Sequence, residues 1–236
     1  MSDIRWLSSR DPAEAFPNPA NALSEPNGLL AVGGDLAPER LTAAYVHGIF
    51  PWYEEGQPVL WWSPDPRAVL FPHQLKVSRS LRKTINKETF ETTSDQAFAE
   101  VISACAAWRP DSGGTWITRA MADAYRELHD LGYAHSVECW RDGSLAGGLY
   151  GIAIGQVFFG ESMFSRETDA SKVALVWLIE HLIASDYRLV DCQVPSGHLA
   201  SLGSCNIPRE EFLQLLDDLC PPLIKPGSWQ LNMSSA

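Results

Sequence analysis

The pattern of apolar and polar positions divides this chain into two unequal parts. Up to about residue 65 no long period holds. Apolar residues come in short runs broken by proline and glycine, as in Phe16-Pro17-Asn18-Pro19, Glu25-Pro26-Asn27-Gly28 and Val32-Gly33-Gly34-Asp35. Ten of the sixteen prolines fall within residues 1–72, and proline interrupts both helices and ladders, so loops and short pieces are expected there. One helix is predicted, from about Pro38 to His47, with proline in its first turn and Gly48 as its C-terminal cap. Ile49-Phe50-Pro51-Trp52-Tyr53 and Leu60-Trp61-Trp62-Ser63-Pro64-Asp65-Pro66 follow. Residues 1–65 therefore read as a small domain rich in proline and tryptophan.

From residue 66 regular periods take over, and residues 66–236 read as a second, larger domain. Ser94 can cap a helix to about Trp108, with Phe98, Val101, Ile102 and Cys105 at 3–4 spacing. Thr118 can cap another, to about Leu131, closed by Gly132. Ala134–Arg141, the Asp142-Gly143 turn and Ser144–Ile152 predict a hairpin. Gln156–Phe159 and Arg188–Gln193 read as strands, Asp169–Ser185 and Arg209–Leu219 as helices, and Lys225–Ala236 as a loose tail. Antiparallel strands followed by strand–helix–strand predict an α+β fold with a mixed sheet.

The 236 residues are 45% hydrophobic and 20% charged, the composition of a globular chain. No stretch approaches the roughly 18 apolar residues of a membrane span, and the first residues lack the apolar core of a signal peptide, so a cytoplasmic location is expected. Five widely spaced cysteines form no C-x-x-C and the histidines no H-x-x-x-H, so no metal site is expected and the thiols read as buried small hydrophobes.

Charge changes the picture more. With 29 acidic and 18 basic residues the net charge is -11, which excludes an indiscriminate nucleic-acid binder. Yet Arg67, Lys76, Arg79, Arg82, Lys83 and Lys87 lie in a stretch with no acidic residue, a local +6 that leaves -17 elsewhere. Arg79, Arg82 and Lys83 share one face of a predicted helix. Beside them Trp52, Trp61 and Trp62 sit between prolines and glycines, and Trp116 precedes a helix. The remaining tryptophans, Trp6, Trp108, Trp140, Trp177 and Trp229, are explained by packing. Cations that track phosphates and aromatic rings that stack bases suit a structured RNA end.

Several chemistries are disfavoured. Gly160-Glu161-Ser162-Met163-Phe164 departs from the nucleophile elbow at its last position, where Phe replaces a small residue. The glycines from Gly147 to Gly155 match neither a dinucleotide fingerprint nor a phosphate loop and read as a twisted strand pair. What remains is Phe158 to Arg166 and Val190-Asp191-Cys192-Gln193-Val194. On a strand Asp191 and Gln193 share a face while Cys192 points away. With Glu161 on a neighbouring strand they would form an acidic pocket for a cationic substrate such as an amine.

These segments resemble the leucyl/phenylalanyl-tRNA–protein transferase family. The matching stretches are Ser24 to Leu36, Gly48 to Trp52, Trp61 to Arg67, Gly114 to Thr118, Gly160 to Arg166 with Ala170-Ser171-Lys172, and Asp191 to Val194, across about residues 16–219. The resemblance implies a GNAT-like C-terminal domain in which two parallel strands splay apart. It also implies transfer of Leu or Phe, with Met a further candidate, from aminoacyl-tRNA to proteins with N-terminal Arg or Lys, marking them for degradation. Trp52 and Trp116 would hold the 3′-terminal adenosine. Leu149, Phe158, Met163, Leu178, Leu182, Val190 and Cys192 would line the amino-acid pocket, while Arg79, Arg82 and Lys83 would touch tRNA phosphates. The catalytic candidates are Gln193, orienting the amine, Asp191, supporting its developing charge, and Glu161. No glycine occurs from Glu161 through Ser196, so the turn that holds coenzyme A in ordinary GNAT enzymes is missing and no cofactor is expected. The competing readings are a coenzyme-A-dependent GNAT N-acetyltransferase and a non-catalytic tRNA-binding module. A monomer is expected.

Overall fold

In the computed structural model, which describes residues 4–107, 117–220 and 229, the short pieces expected in the first stretch are strands that pair into a sheet. They are β1 (Arg5–Leu7), β2 (Leu29–Gly33), β3 (Phe50–Pro51) and β4 (Leu60–Trp62), paired as a mixed sheet in the order β1-β2-β4-β3. Strands of two to five residues are too short to display an alternation, so their pairing is invisible in the pattern. Helix α1 (Pro38–Val46) forms as expected, with Pro38 in the first turn and Gly48 at φ +72 just beyond its end.

The second sheet takes β5 (Arg67–Leu70), β6 (Glu91–Ser94), β7 (Ala134–Arg141), β8 (Ser144–Ile154), β9 (Val157–Ser165), β10 (Leu189–Gln193) and β11 (Cys205–Ile207). Their order is β11-β5-β10-β9-β8-β7-β6, antiparallel except for the parallel pair β9–β10. The helices are α2 (Arg79–Asn86), α3 (Phe98–Ala106), α4 (Arg119–Asp130), α5 (Ala170–Ala184), α6 (Gly197–Ser201) and α7 (Arg209–Leu219). Two expectations need correction. Ser94 caps no helix: it ends β6 opposite Val137, Asp95 turns the chain at φ +54, and α3 starts at Phe98. β9 does not stop at Phe159, because its ladder with β8 carries the polar stretch on to Ser165.

One face of this sheet carries α5, with α2 packed on it, and Leu178 and Leu182 of that helix meet Leu149, Phe158 and Val190 of the strands in one apolar cluster. The other carries α3 and α4, and its apolar cluster runs on through Tyr45, Phe50 and Trp61 into the first sheet. Two irregularities shape the site. The β8–β9 register passes from Tyr150↔Ser162 to Gly151↔Gly160, leaving Glu161 as the extra residue of a bulge. An extra residue reverses alternation, and Met163 accordingly joins the α5 face with Phe158, while Phe164 joins Phe159 opposite. The parallel pairing of β9 with β10 ends at Asp191↔Phe159, although β9 continues to Ser165. The two strands part there.

Among the described residues no helix is long and apolar enough to cross a membrane, and no group of three or more potential metal ligands occurs. The expected loose tail lies outside the described residues except for Trp229, whose ring lies 4.5 Å from His135 and 4.4 Å from His181.

Candidate acyl-transfer site

The site begins where β10 leaves its neighbours. Its ladder with β5 shifts between Asp191 and Gln193, and Gln193 takes φ +58. A left-handed conformation at a non-glycine residue costs of order 1–3 kcal/mol and persists where surrounding contacts enforce it. Asp191 supplies that contact: its Oδ1 accepts the Gln193 backbone N–H at 2.9 Å.

Asp191 itself is wholly buried and committed. Arg67 Nε donates to its Oδ1 at 2.8 Å and Nη2 to its Oδ2 at 2.7 Å. The third guanidinium nitrogen donates to the Gly48 carbonyl at 3.0 Å, and the cation lies 4.9 Å from the Phe50 ring and 4.5 Å from Phe212. Such a bidentate pair satisfies a charge that could not otherwise be buried. Two expectations change with it. Asp191 is no free carboxylate for an acceptor pocket, because both its oxygens are paired with Arg67. Arg67 leaves the basic stretch, because it is a core residue.

Glu161 stands on the bulge between the parted strands. Tyr45 from α1 donates to its Oε1 at 2.7 Å, Tyr125 from α4 to its Oε2 at 2.7 Å, and Gln193 Nε2 to Oε1 at 3.1 Å. Burial pushes the carboxyl up to about 7, against the lowering effect of those three donors and with a smaller push from the Asp191 charge. Gln193 spends its amide N–H on Glu161 and keeps its side-chain carbonyl available to another donor.

The residues expected to line the amino-acid pocket come together. Leu149, Phe158, Leu178, Leu182, Val190 and Cys192 are buried in one cluster on the α5 face, with Met163 packed against it. Glu161 meets its tyrosines on the opposite face, so the apolar cluster and the polar group lie on either side of the sheet where β9 and β10 part. Beyond the end of β10 lies a cavity of about 310 Å³ lined by Pro195, Ser196, Gly197, Ala200, Ser204, Cys205 and Asn206. Cys205 is the exposed exception to the expectation of buried thiols.

The tryptophans separate. Trp52 is 43% exposed, with its ring 6.2 Å from that of Trp62. Trp61, a stacking candidate by sequence, is a core residue, buried with its indole N–H on the Gly33 carbonyl. Trp6, read as a packing residue, is instead 70% exposed on edge strand β1. Trp108 and Trp116 lie outside the described residues. On α2, Leu81 is buried, whereas Arg79, Arg82 and Lys83 are exposed and form no ion pair among the described residues.

Sequence reasoning missed Tyr45, Tyr125 and the true place of Arg67. The tyrosines are 116 and 36 residues from Glu161 in sequence. The available signal was Tyr45 and Tyr125 lying on the buried faces of their helices, which marks core rather than site.

A mixed sheet whose parallel neighbours part, with a carboxyl and a carboxamide where they part and an apolar cluster on the other face, is the α+β architecture of this chain, and its polar and apolar groups suit an enzyme that transfers an acyl group. The leucyl/phenylalanyl-tRNA protein transferase profile matches residues 69–217, and the profile of that protein's N-terminal domain matches 34–65. Curated leucyl/phenylalanyl-tRNA–protein transferases are similar along their whole length. That of Stutzerimonas stutzeri is 59% identical over 90% of this chain and 93% of its own, and that of Nitrosospira multiformis 56% identical over 96% of each. Among solved structures, L-PGS from Bacillus licheniformis aligns with a TM-score of 0.40 and 10% identity, over 71% of this chain and 54% of its own. A GCN5-related N-acetyltransferase from Kribbella flavida aligns at 0.33 and 13% identity, over 73% of this chain and 61% of its own. The chain belongs to the leucyl/phenylalanyl-tRNA–protein transferase family and is an aminoacyltransferase.

Proposed function

We propose that this enzyme moves Leu or Phe, and Met as a further donor, from aminoacyl-tRNA to proteins bearing N-terminal Arg or Lys, marking them for degradation in the cytoplasm. The reaction makes one C–N bond between the acceptor amine and the aminoacyl carbonyl carbon. It breaks the ester C–O bond to the terminal ribose, and a proton of the neutral amine ends on the released ribose oxygen. The donor is already activated, and an α-amine with a pKa of about 7.7–8 is partly neutral at pH 7, so positioning can supply much of the rate.

The observation that carries this reading is Gln193, held in a left-handed turn by Asp191 and with its amide N–H fixed on Glu161. Its side-chain oxygen is left to accept an N–H of the attacking amine. Asp191 acts through that turn as a positioning residue, in place of the direct charge-supporting role read from sequence. Glu161 faces the acceptor, whose following residues extend toward the cavity beyond β10. The donor's side chain enters the cluster of Leu149, Phe158, Met163, Leu178, Leu182, Val190 and Cys192. Exposed Trp52 stacks on the terminal adenosine together with Trp116, and Arg79, Arg82 and Lys83 hold phosphates.

The test incubates the protein with labelled Leu-tRNA and a peptide beginning with Arg. Label is expected on the peptide, reduced about 100-fold in kcat by Gln193→Ala, the scale of losing one positioned polar group. Equal labelling of a peptide beginning with Asp would refute the acceptor assignment. No labelling at all, with intact donor, would refute the donor assignment.

A further inference from the structure

Three oxygen–oxygen contacts close a ring at Glu161. Tyr45 Oη lies 2.7 Å from Oε1, Tyr125 Oη lies 2.7 Å from Oε2, and the two phenol oxygens lie 2.6 Å apart. Each contact of that length needs a proton between its oxygens. Two phenols bring two protons. An ionised carboxylate brings none and leaves one pair of oxygens facing each other with lone pairs alone. A protonated carboxyl supplies the third proton. Glu161 Oε2–H then donates to Tyr125, reversing the sense that this contact has with an ionised carboxylate, while Tyr125 donates to Tyr45 and Tyr45 to Glu161 Oε1. That same Oε1 accepts Gln193 Nε2 through its other lone pair.

We propose that the free enzyme stores Glu161 as a neutral acid in this closed ring, and that binding of a cationic acceptor expels its proton to create the acceptor-binding carboxylate. The acceptor half rests on the function proposed above; the proton count in the free enzyme does not. Tyr45 and Tyr125 are positioning residues in this scheme.

The surroundings agree from every side. Tyr45 comes from α1 and Tyr125 from α4, both fully buried with their own ionisation pushed up by burial and by Glu161, so neither phenol supplies the charge. From β8 comes Tyr150, fully buried, and behind it Cys105 from α3. From β10 come Gln193 and Asp191, the latter neutralised by Arg67 of β5. No cation among these groups pairs with an ionised Glu161. An arriving guanidinium or ammonium does so, and by linkage the partner that favours the ionised form must release the proton. The direction in which burial shifts the carboxyl is the same.

The ring is tested without substrate by 13C NMR of protein labelled at the glutamate carboxyl carbons. Glu161→Gln identifies the signal, since its amide can both accept from Tyr45 and donate to Tyr125 and so keeps the ring. The expected result is a single Glu161→Gln-sensitive carboxyl that is protonated at about pH 6 and titrates near neutrality. A signal already ionised at that pH would overturn the proposal. Calorimetry at about pH 6, in buffers of different ionisation enthalpy, then measures protons released when an Arg-initiated peptide binds. Wild type should release about one proton more than Glu161→Gln, which corrects for the peptide's own amine. Equal release by both proteins would overturn the coupling. A peptide that binds neither protein would overturn the coupling and the acceptor assignment together, leaving the carboxyl signal to decide the ring alone.

Discussion

At the scale of residues, a buried charge is acceptable only with its partner. Removing one member of the Arg67–Asp191 pair leaves the other without solvent or counter-ion, so Arg67→Met should cost about 3–5 kcal/mol in urea unfolding. Arg67→Met with Asp191→Leu should recover most of that loss, yet transfer should stay depressed because the Gln193 N–H has lost its acceptor. Recovery of both stability and transfer would show that Asp191 does not hold the turn. Glu161 makes a different prediction. Its folded-state value of about 7 lies above the ordinary 4.5, so the folded protein holds more protons than the unfolded chain between those limits. Its contribution to stability is therefore full below about pH 4.5, declines as pH rises to about 7 and is level above. Glu161→Gln should remove that component of the decline, read as the change in urea midpoint between about pH 5 and about pH 8.

At the scale of elements, α2 shows how a short helix can present charge without depending on it. Ser78 caps its start, accepting the Leu81 N–H at 3.2 Å, and Leu81 anchors it in the apolar cluster under α5. Arg79, Arg82 and Lys83 are left to solvent, so reversing all three to Glu should leave the fold intact. Each phosphate that the protein no longer neutralises reduces the slope of log K against log salt by somewhat under one, so the triple variant should reduce the tRNA-binding slope by about 2–3. An unchanged slope would remove α2 from the tRNA interface. The legibility of elements followed the same logic. Helices α1, α4 and α7 and the β7–β8 hairpin were readable because caps, turn residues and apolar spacing are local. The short strands of the first sheet and the second half of β9 were not. The short strands offer too few positions for a period, and the bulge at Glu161 breaks the alternation of β9.

At the scale of the molecule, the two sheets share one apolar core, which passes from Trp61 and Phe50 through Tyr45 to Phe159 and Tyr150. The Arg67 guanidinium crosses the same boundary, joining Gly48 to Asp191. Scanning calorimetry should therefore show a single unfolding transition, and two resolved transitions would contradict a common core. The charge balance is likewise a property of the whole. With Arg67 withdrawn, Lys76, Arg79, Arg82, Lys83 and Lys87 remain as the cations of the basic stretch on a chain of net charge -11.

By itself the sequence determined the family, the α+β class and the basic helix. Those depend on residue types, spacings and long motifs that local chemistry explains. Tertiary structure alone decided what the polar residues are for. Asp191 and Glu161 are both carboxylates on strands, and nothing local distinguishes them. One meets a guanidinium from a strand 124 residues away and becomes part of the core; the other meets two phenols and an amide at an opening between strands. The state of an ionisable group is set by the partners and solvent around it, and those are assembled only when the chain folds.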